Sequence, residues 1–231
     1  MININNSILL DALFYSVDKE ENEFTLEELS SIESLTLNSK IMGIYFFEFN
    51  FEELKYLTSL REITFNNIDI NETTIDILNN LSFLENVKFN SCSFAKEPKL
   101  SNIEELSITK GNLMDFSFIS SLSNLKSLSL VNVKLDKLNF LNRLDELEML
   151  ELSGSTLPLT IHLDKTNIKE LYLDETNISE FNSVFFPLNL ERLFISSKQY
   201  NLNPKYFDAL SEEGISILSP SNMSFGGDSN D

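Results

Sequence analysis

The feature that most constrains this chain is a spacing of apolar residues, apolar-x-x-apolar-x-apolar with a further apolar residue at the eleventh position, which returns eight times. The plainest copies run through Leu125, Leu128, Leu130 and Leu135 and through Leu84, Val87, Phe89 and Phe94. The others open at Ile32, Leu60, Ile103, Leu147, Ile168 and Leu190. First, fourth, sixth and eleventh positions of the eight copies make thirty-two residues, from Ile32, Leu35, Leu37 and Met42 to Leu190, Leu193, Ile195 and Tyr200, and every one is apolar. With 42% of the chain hydrophobic, chance agreement is roughly one in 10¹².

The residues that carry this pattern resemble the leucine-rich repeat family over about residues 25 to 218. Successive copies open 28, 24, 19, 22, 22, 21 and 22 residues apart, and the run Leu135, Leu138, Leu141, Leu144, Leu147 resembles the 22-residue subclass of bacterial internalin-like proteins. The resemblance implies an α/β solenoid: a leucine-rich repeat horseshoe of about eight repeats, with a parallel concave β-sheet, a mostly 3₁₀ or irregular convex side, and helical caps at both ends. Apolar residues every three positions suit a 3₁₀ convex segment, because side chains three apart eclipse there. The repeat that opens at Leu60 has room for a helix over Thr74 to Leu84 with Ile75, Leu78 and Leu81 inward. The 19-residue repeat has no such room, and Pro98 within it points to an extended segment.

One departure concerns the ninth position, where the family usually buries an Asn that satisfies backbone groups of the turn. Here it holds Lys40, Ile68, Cys92, Gly111, Val133, Ser155, Thr176 and Lys198. Ile68 and Val133 have no side-chain hydrogen bond to give, so those turns must find other partners.

A stack of repeats needs its ends covered. Ile8, Leu9, Ala12, Leu13 and Val17 recur at helical spacing after Asn6-Ser7, and Thr25-Leu26-Glu27-Glu28 fits a capping box with Phe24 and Leu29 as its hydrophobic staple. Residues 1–31 therefore form an N-terminal helical cap, residues 32–202 the repeats, and residues 203–218 a C-terminal cap. In that last cap Asn203-Pro204 opens a helix, Phe207 and Leu210 face inward, and Gly214 ends it before a short strand at Ile215 to Leu218. Residues 219–231, mostly Ser, Asn, Gly and Asp, read as a flexible tail whose Gly226-Gly227 is a plain linker.

Thirty-six acidic residues against 17 basic ones give a net charge of −19, which repels phosphate backbones and anionic lipid and excludes nucleic acid and membrane surfaces as expected partners. One cysteine, Cys92, forms no intrachain disulfide, and the start Met1 to Asn6 lacks the basic region of a secretory signal, so the expected location is the cytoplasm, with delivery by a signal-independent machine left open. The apolar run Ile41 to Phe51 is too short to span a bilayer. No catalytic constellation is legible. His162 is the sole histidine, Cys92 falls where a small buried side chain belongs, and the six glycines form no phosphate-binding loop, so no enzyme activity, cofactor or metal is expected.

In the family, the third, fifth and seventh positions of each repeat point outward from the concave face, and a partner is sought there. Most of these positions hold Asn, Thr, Ser or a charge. The last three repeats differ, placing Met149, Tyr172 and Phe194 beside Glu151, Glu170, Asp174 and Arg192. These seven are the candidate partner-binding residues, since aromatic anchors ringed by charge are the usual composition of an interface centre. Two readings of Tyr172 and Phe194 stand: anchors on an open surface, or rings that stack on one another or lie beneath the C-terminal cap. Residues 1–31 alone contribute seven acids and one base, so a cap or flank is a rival docking place.

The family resemblance implies a protein-binding module, a monomer on its own, and the acidity and the C-terminal patch suit a basic protein partner held in the manner of an inhibitor or immunity-type protein. The alternative is an effector or adhesin-like protein that binds a host protein or, along Asn38, Asn66 and Asn90, a glycan.

Overall fold

The computed structural model describes residues 1–17, 19, 22–39, 50–95, 97–111, 113 and 115–219. Lys40 and Met42 of the first copy, most of the apolar run from Ile41, and the tail beyond Ser219 with its Gly226-Gly227 lie outside the described residues. The fold is an α/β solenoid of leucine-rich repeats, and it divides into two compact units, Met1–Leu125 and Lys126–Asp231. Nothing in the repeat spacing marks that division. In both units every first, fourth and sixth position is buried, from Ile32, Leu35 and Leu37 to Leu190, Leu193 and Ile195. Each such leucine removed from water contributes about 1.5–3 kcal/mol. The eleventh position is looser: Ile70, Leu135 and Leu157 are buried, while Phe94, Leu113, Ile178 and Tyr200 are partly exposed.

In the first unit, four parallel strands lie side by side, Ser34–Asn38, Glu62–Asn66, Asn86–Asn90 and Glu105–Thr109. Their register sets third position against third, Ser34 against Glu62, Asn86 and Glu105, so the sequence pattern and the ladder agree residue for residue. The N-terminal helix Ser7–Val17 buries Ile8, Leu9, Ala12 and Leu13. Asn6 starts it, accepting the backbone N–H groups of Ile8 and Leu9 on Oδ1 at 3.0 Å each. The capping box forms as read. Glu28 N–H donates to Thr25 Oγ1 at 3.1 Å and Thr25 N–H returns to Glu28 Oε2 at 2.7 Å, with Phe24 and Leu29 fully buried around it. That backbone donor and the Lys19 ammonium 3.2 Å away hold the Glu28 carboxyl below its usual range.

The convex side of the first unit carries 3₁₀ turns at Glu52–Tyr56 and Ser117–Ser121 and one helix, Glu72–Asn79. That helix starts two residues before the expected Thr74 and ends five before Leu84, because Asn71 caps it by accepting Thr74 N–H at 2.9 Å. Ile75, Leu78 and Leu81 are buried as expected. Around Pro98 there is no regular element; Leu100 N–H closes a tight reversal onto the Pro98 carbonyl at 2.8 Å.

The second unit sets five parallel strands in one register, Ser127–Val131, Met149–Glu151, Glu170–Tyr172, Arg192–Phe194 and Ser216–Leu218. Its convex turns include 3₁₀ segments at Asn139–Arg143 and Phe181–Ser183, and Leu135, Leu138, Leu141, Leu144 and Leu147 are all buried. The eighth copy departs from the pattern at its end. Ser196 and Gln199 form a capping box that opens the helix Ser197–Leu202, so the closing helices begin at Ser197 and Tyr200 sits in a helix. Pro204–Glu212 follows with Phe207 fully buried and Leu210 half-buried. Gly214, at φ 98°, stops it: its N–H reaches Ser211 O at 3.0 Å and Ile215 N–H reaches Leu210 O at 3.1 Å, the paired bonds of a Schellman motif.

Two columns of the turn explain how the repeats stack without a buried Asn. The eighth position is left-handed in six copies: Asn67, Ser91 and Lys110 in the first unit, and Asn132, Gly154 and Glu175 in the second, at φ between 53° and 68°. Asn and Gly suit that backbone, while Ser, Lys and Glu hold it at about 1 kcal/mol each. At the ninth position, two polar side chains reach back to the preceding repeat, while Thr176 Oγ1 donates to the Leu173 carbonyl of its own repeat at 2.7 Å. Cys92 Sγ–H donates to the Phe65 carbonyl at 3.3 Å. Ser155 Oγ donates to the Leu130 carbonyl at 2.7 Å and accepts Val133 N–H at 3.0 Å, which supplies the partner that Val133 lacks.

Candidate functional site

The third, fifth and seventh positions do point away from the core, and the two units present different surfaces there. In the first unit, Ser34, Thr36 and Asn38 are exposed and the neighbouring columns half-exposed. Asn66 Nδ2 donates to Asn38 Oδ1 at 2.7 Å, and Asn90 Nδ2 donates to Asn66 Oδ1 at 2.9 Å, so the three amides form a ladder across adjacent strands. Lys88 pairs with Glu62 at 2.5 Å.

In the second unit, the ladder brings the seven expected site residues together. Met149, Glu170 and Arg192 lie opposite one another in the third-position column, and Glu151, Tyr172 and Phe194 do so in the fifth. Glu170 is doubly engaged: Oε1 accepts from the Arg192 guanidinium, and Oε2 accepts Tyr172 Oη–H at 3.2 Å. Arg192 is thereby held charged, its proton affinity raised first by that hydrogen bond and then by the Glu170 charge. Ser129 Oγ–H donates to Glu151 Oε2 at 2.5 Å, and Ser153 Oγ–H donates to Asp174 Oδ1 at 2.7 Å. Met149 is half-buried beside Ser127, whose hydroxyl approaches its sulfur at 3.9 Å.

Phe194 corrects the expectation of an open surface anchor. It is 3% exposed. Its ring and that of Tyr172 lie parallel, centroids 3.9 Å apart and planes 6° apart, and on the far side the Ser216–Leu218 strand sets Leu218 opposite it. A short strand after the closing helix is legible in the sequence; that it pairs beyond Phe194 and covers it is a matter of tertiary contact. Tyr172 keeps one face covered by Phe194, while the other looks across to the strand that carries Glu151. Partial burial, then the nearby Glu170 and Glu151 carboxylates, push the Tyr172 hydroxyl above its ordinary pKa. The sequence reading did not single out Ser129 and Ser153, the hydroxyls that hold the two carboxylates in place.

Among the described residues, no group of three His, Cys, Asp or Glu is placed to hold a metal ion, and no helix is long and apolar enough to cross a membrane. His162 is exposed on the convex side, stacked on Phe185 with centroids 4.5 Å apart. Cys92 is buried, and burial pushes its thiol up to about 11, which keeps it protonated and unreactive at neutral pH.

No family model and no curated protein matches the chain. Solved structures do. An internalin (inlF) from Listeria monocytogenes superposes with a TM-score of 0.57 at 21% identity, covering 83% of this chain and 64% of that one, so this chain spans under two thirds of its length. Internalin C2 from the same organism superposes with a TM-score of 0.60 at 21% identity, covering 87% of this chain and 96% of that one. At that identity the likeness concerns the fold alone, the leucine-rich repeat solenoid that this chain's own pattern and ladder describe.

Proposed function

We propose that this chain is a non-enzymatic protein-binding module that docks a basic protein through the concave face of its second unit. The observation that carries this reading is charge left over around an aromatic ring. The cation in the candidate set, Arg192, is already paired with Glu170, while among the described residues Glu151 and Asp174 are held by serine hydroxyls alone, beside the half-buried Tyr172. A face built this way gains most from a partner that brings positive charge, which also speeds encounter with a chain of net charge −19. Leucine-rich repeats supply flat, side-chain-programmable surfaces of this kind, and the internalin-like fold supports a binding role by analogy. In its concrete form the module works in the cytoplasm as an inhibitor or immunity-type protein that masks the partner's basic surface. The glycan alternative loses ground because the amide of Asn66 is bonded on both sides, to Asn38 and to Asn90.

The test is affinity capture from native lysate followed by binding measurements with the purified partner. Two charge-matched variants are compared: Glu151→Lys with Asp174→Lys on the concave face, and Glu146→Lys with Glu212→Lys on exposed positions elsewhere. The expected result is a basic partner retained by wild type and by the second variant and lost by the first. Loss with the second variant alone would move the site to an edge or cap.

A further inference from the structure

Resting on that docking reading, we infer that the second unit recognises one arginine side chain of its partner, its guanidinium laid on the open face of Tyr172 and hydrogen-bonded to Glu151 and Asp174. The argument begins with the ring. Tyr172 and Phe194 are parallel at 3.9 Å on adjacent strands, so the stacking axis runs across the sheet and the uncovered face of Tyr172 must look toward the strand of Glu151. Phe194 is buried, so the stack behind Tyr172 is fixed and the ring is held ready for a ligand. Among the described residues, cations lie over the rings of Phe24, Tyr56 and Phe83, and none over Tyr172.

The polar groups around this face then select the ligand. The Tyr172 hydroxyl donates to Glu170, so the ring's negative face is flanked by acceptors. Ser129 donates to one oxygen of Glu151 and Ser153 to one oxygen of Asp174, which orients both carboxylates and leaves each a second oxygen. Glu151 is the register neighbour of Tyr172, and Asp174 lies two residues along the same strand direction. Two acceptors beside a flat π face match a planar ion with several N–H donors, which is a guanidinium; a lysine ammonium is a strongly hydrated point charge and gains less from stacking. The internal pair supports the same chemistry, since the face already holds Arg192 against Glu170.

The probe is a pair of fluorescently labelled, equally charged peptides, one of eight arginines and one of eight lysines, titrated into the full chain and followed by anisotropy. The arginine peptide is expected to bind about three- to tenfold more tightly. Tyr172→Phe keeps that preference, Tyr172→Leu removes it, and Glu151→Gln weakens the arginine peptide more than the lysine peptide. Thermal melts of each variant separate lost binding from lost fold. Equal affinities for the two peptides, no binding of either, or a preference that survives Tyr172→Leu in a folded variant overturns the arginine assignment. A natural partner lost with Glu151→Lys and Asp174→Lys but indifferent to Tyr172→Leu would leave the docking reading standing and remove the arginine alone.

Discussion

The two concave faces share a backbone and differ in what their side chains spend their interactions on. In the first unit, neighbours bond to neighbours, in an amide ladder through Asn38, Asn66 and Asn90 and a Lys88–Glu62 pair, and the buried Asn86 Oδ1 is the exception, with no partner among the described residues. In the second unit, the fifth-position column turns aromatic, part of it sinks into the fold, and the carboxylates of Glu151 and Asp174 rest on serines, with no cation paired to either among the described residues. The difference teaches where to seek function on a repeat surface. A polar column closed on itself is stable in water and asks for no ligand, whereas a supported ring beside unneutralised charge gains by meeting one.

The sharpest way to break that comparison is at the fifth position. Phe194→Ala should destabilise by about 3–5 kcal/mol, the range for a buried aromatic, while Thr64→Ala at the same position of the first unit should stay within about 0.5 kcal/mol. Urea unfolding checks both, and similar losses would mean the two faces are built alike. The ninth position compares turns instead of faces. Ser155→Ala should cost about 2–3 kcal/mol, because it strands both the Leu130 carbonyl and Val133 N–H, whereas Cys92→Ala, which strands a carbonyl bonded at 3.3 Å, should cost about 1 kcal/mol at neutral pH.

Cys92 adds a pH test. Burial pushes its folded thiol up to about 11 from an ordinary value of 9.0, so its contribution is complete below pH 9 and is lost as pH rises through 11. Cys92→Ala should therefore flatten the stability profile over that interval, and Ellman's reagent should leave the native wild-type thiol untouched at pH 8. Smaller effects follow from the ladder and the turn. Asn66→Ala should cost about 0.5–1 kcal/mol, since it removes the middle amide from a partly exposed row. Glu175→Gly should stabilise by about 0.5–1 kcal/mol by relieving a left-handed backbone, and Gly154→Ala should do the opposite, since its φ is 68° and a Cβ there would meet Asn132 Oδ1 at 2.4 Å. Thermal melts of the two variants decide the sign.

Most of the fold was legible because burial repeats. A fixed set of positions meets the core in every copy, so Leu125, Leu128 and Leu130 announce a strand and a core at once, and the capping box at Thr25 and Glu28 is local chemistry that four residues specify. The left-handed eighth position was not legible, since Lys110 and Glu175 are poor residues for it and are held there by their neighbours. The buried state of Phe194 was legible as one of two readings and no further. It depends on which strand lies beyond it, and alternation along its own strand says only that it leaves the core. The end of the eighth copy misled because Tyr200 fits the eleventh position by type, while Ser196 and Gln199 cap a helix across it.

The backward reach of Cys92 and Ser155 at the ninth position, and of Gln199 at the tenth, gives these turns a direction. Cys92 serves Phe65, Ser155 serves Leu130 and Val133, and Gln199 Nε2 serves the Leu173 carbonyl at 2.9 Å and Thr176 at 3.1 Å. These three turns are thus completed by chain that is synthesised after them. A nascent chain that has emerged only as far as one of these turns carries it unfinished until the next repeat arrives, and Gln199 in the closing helix makes the last of the three repairs.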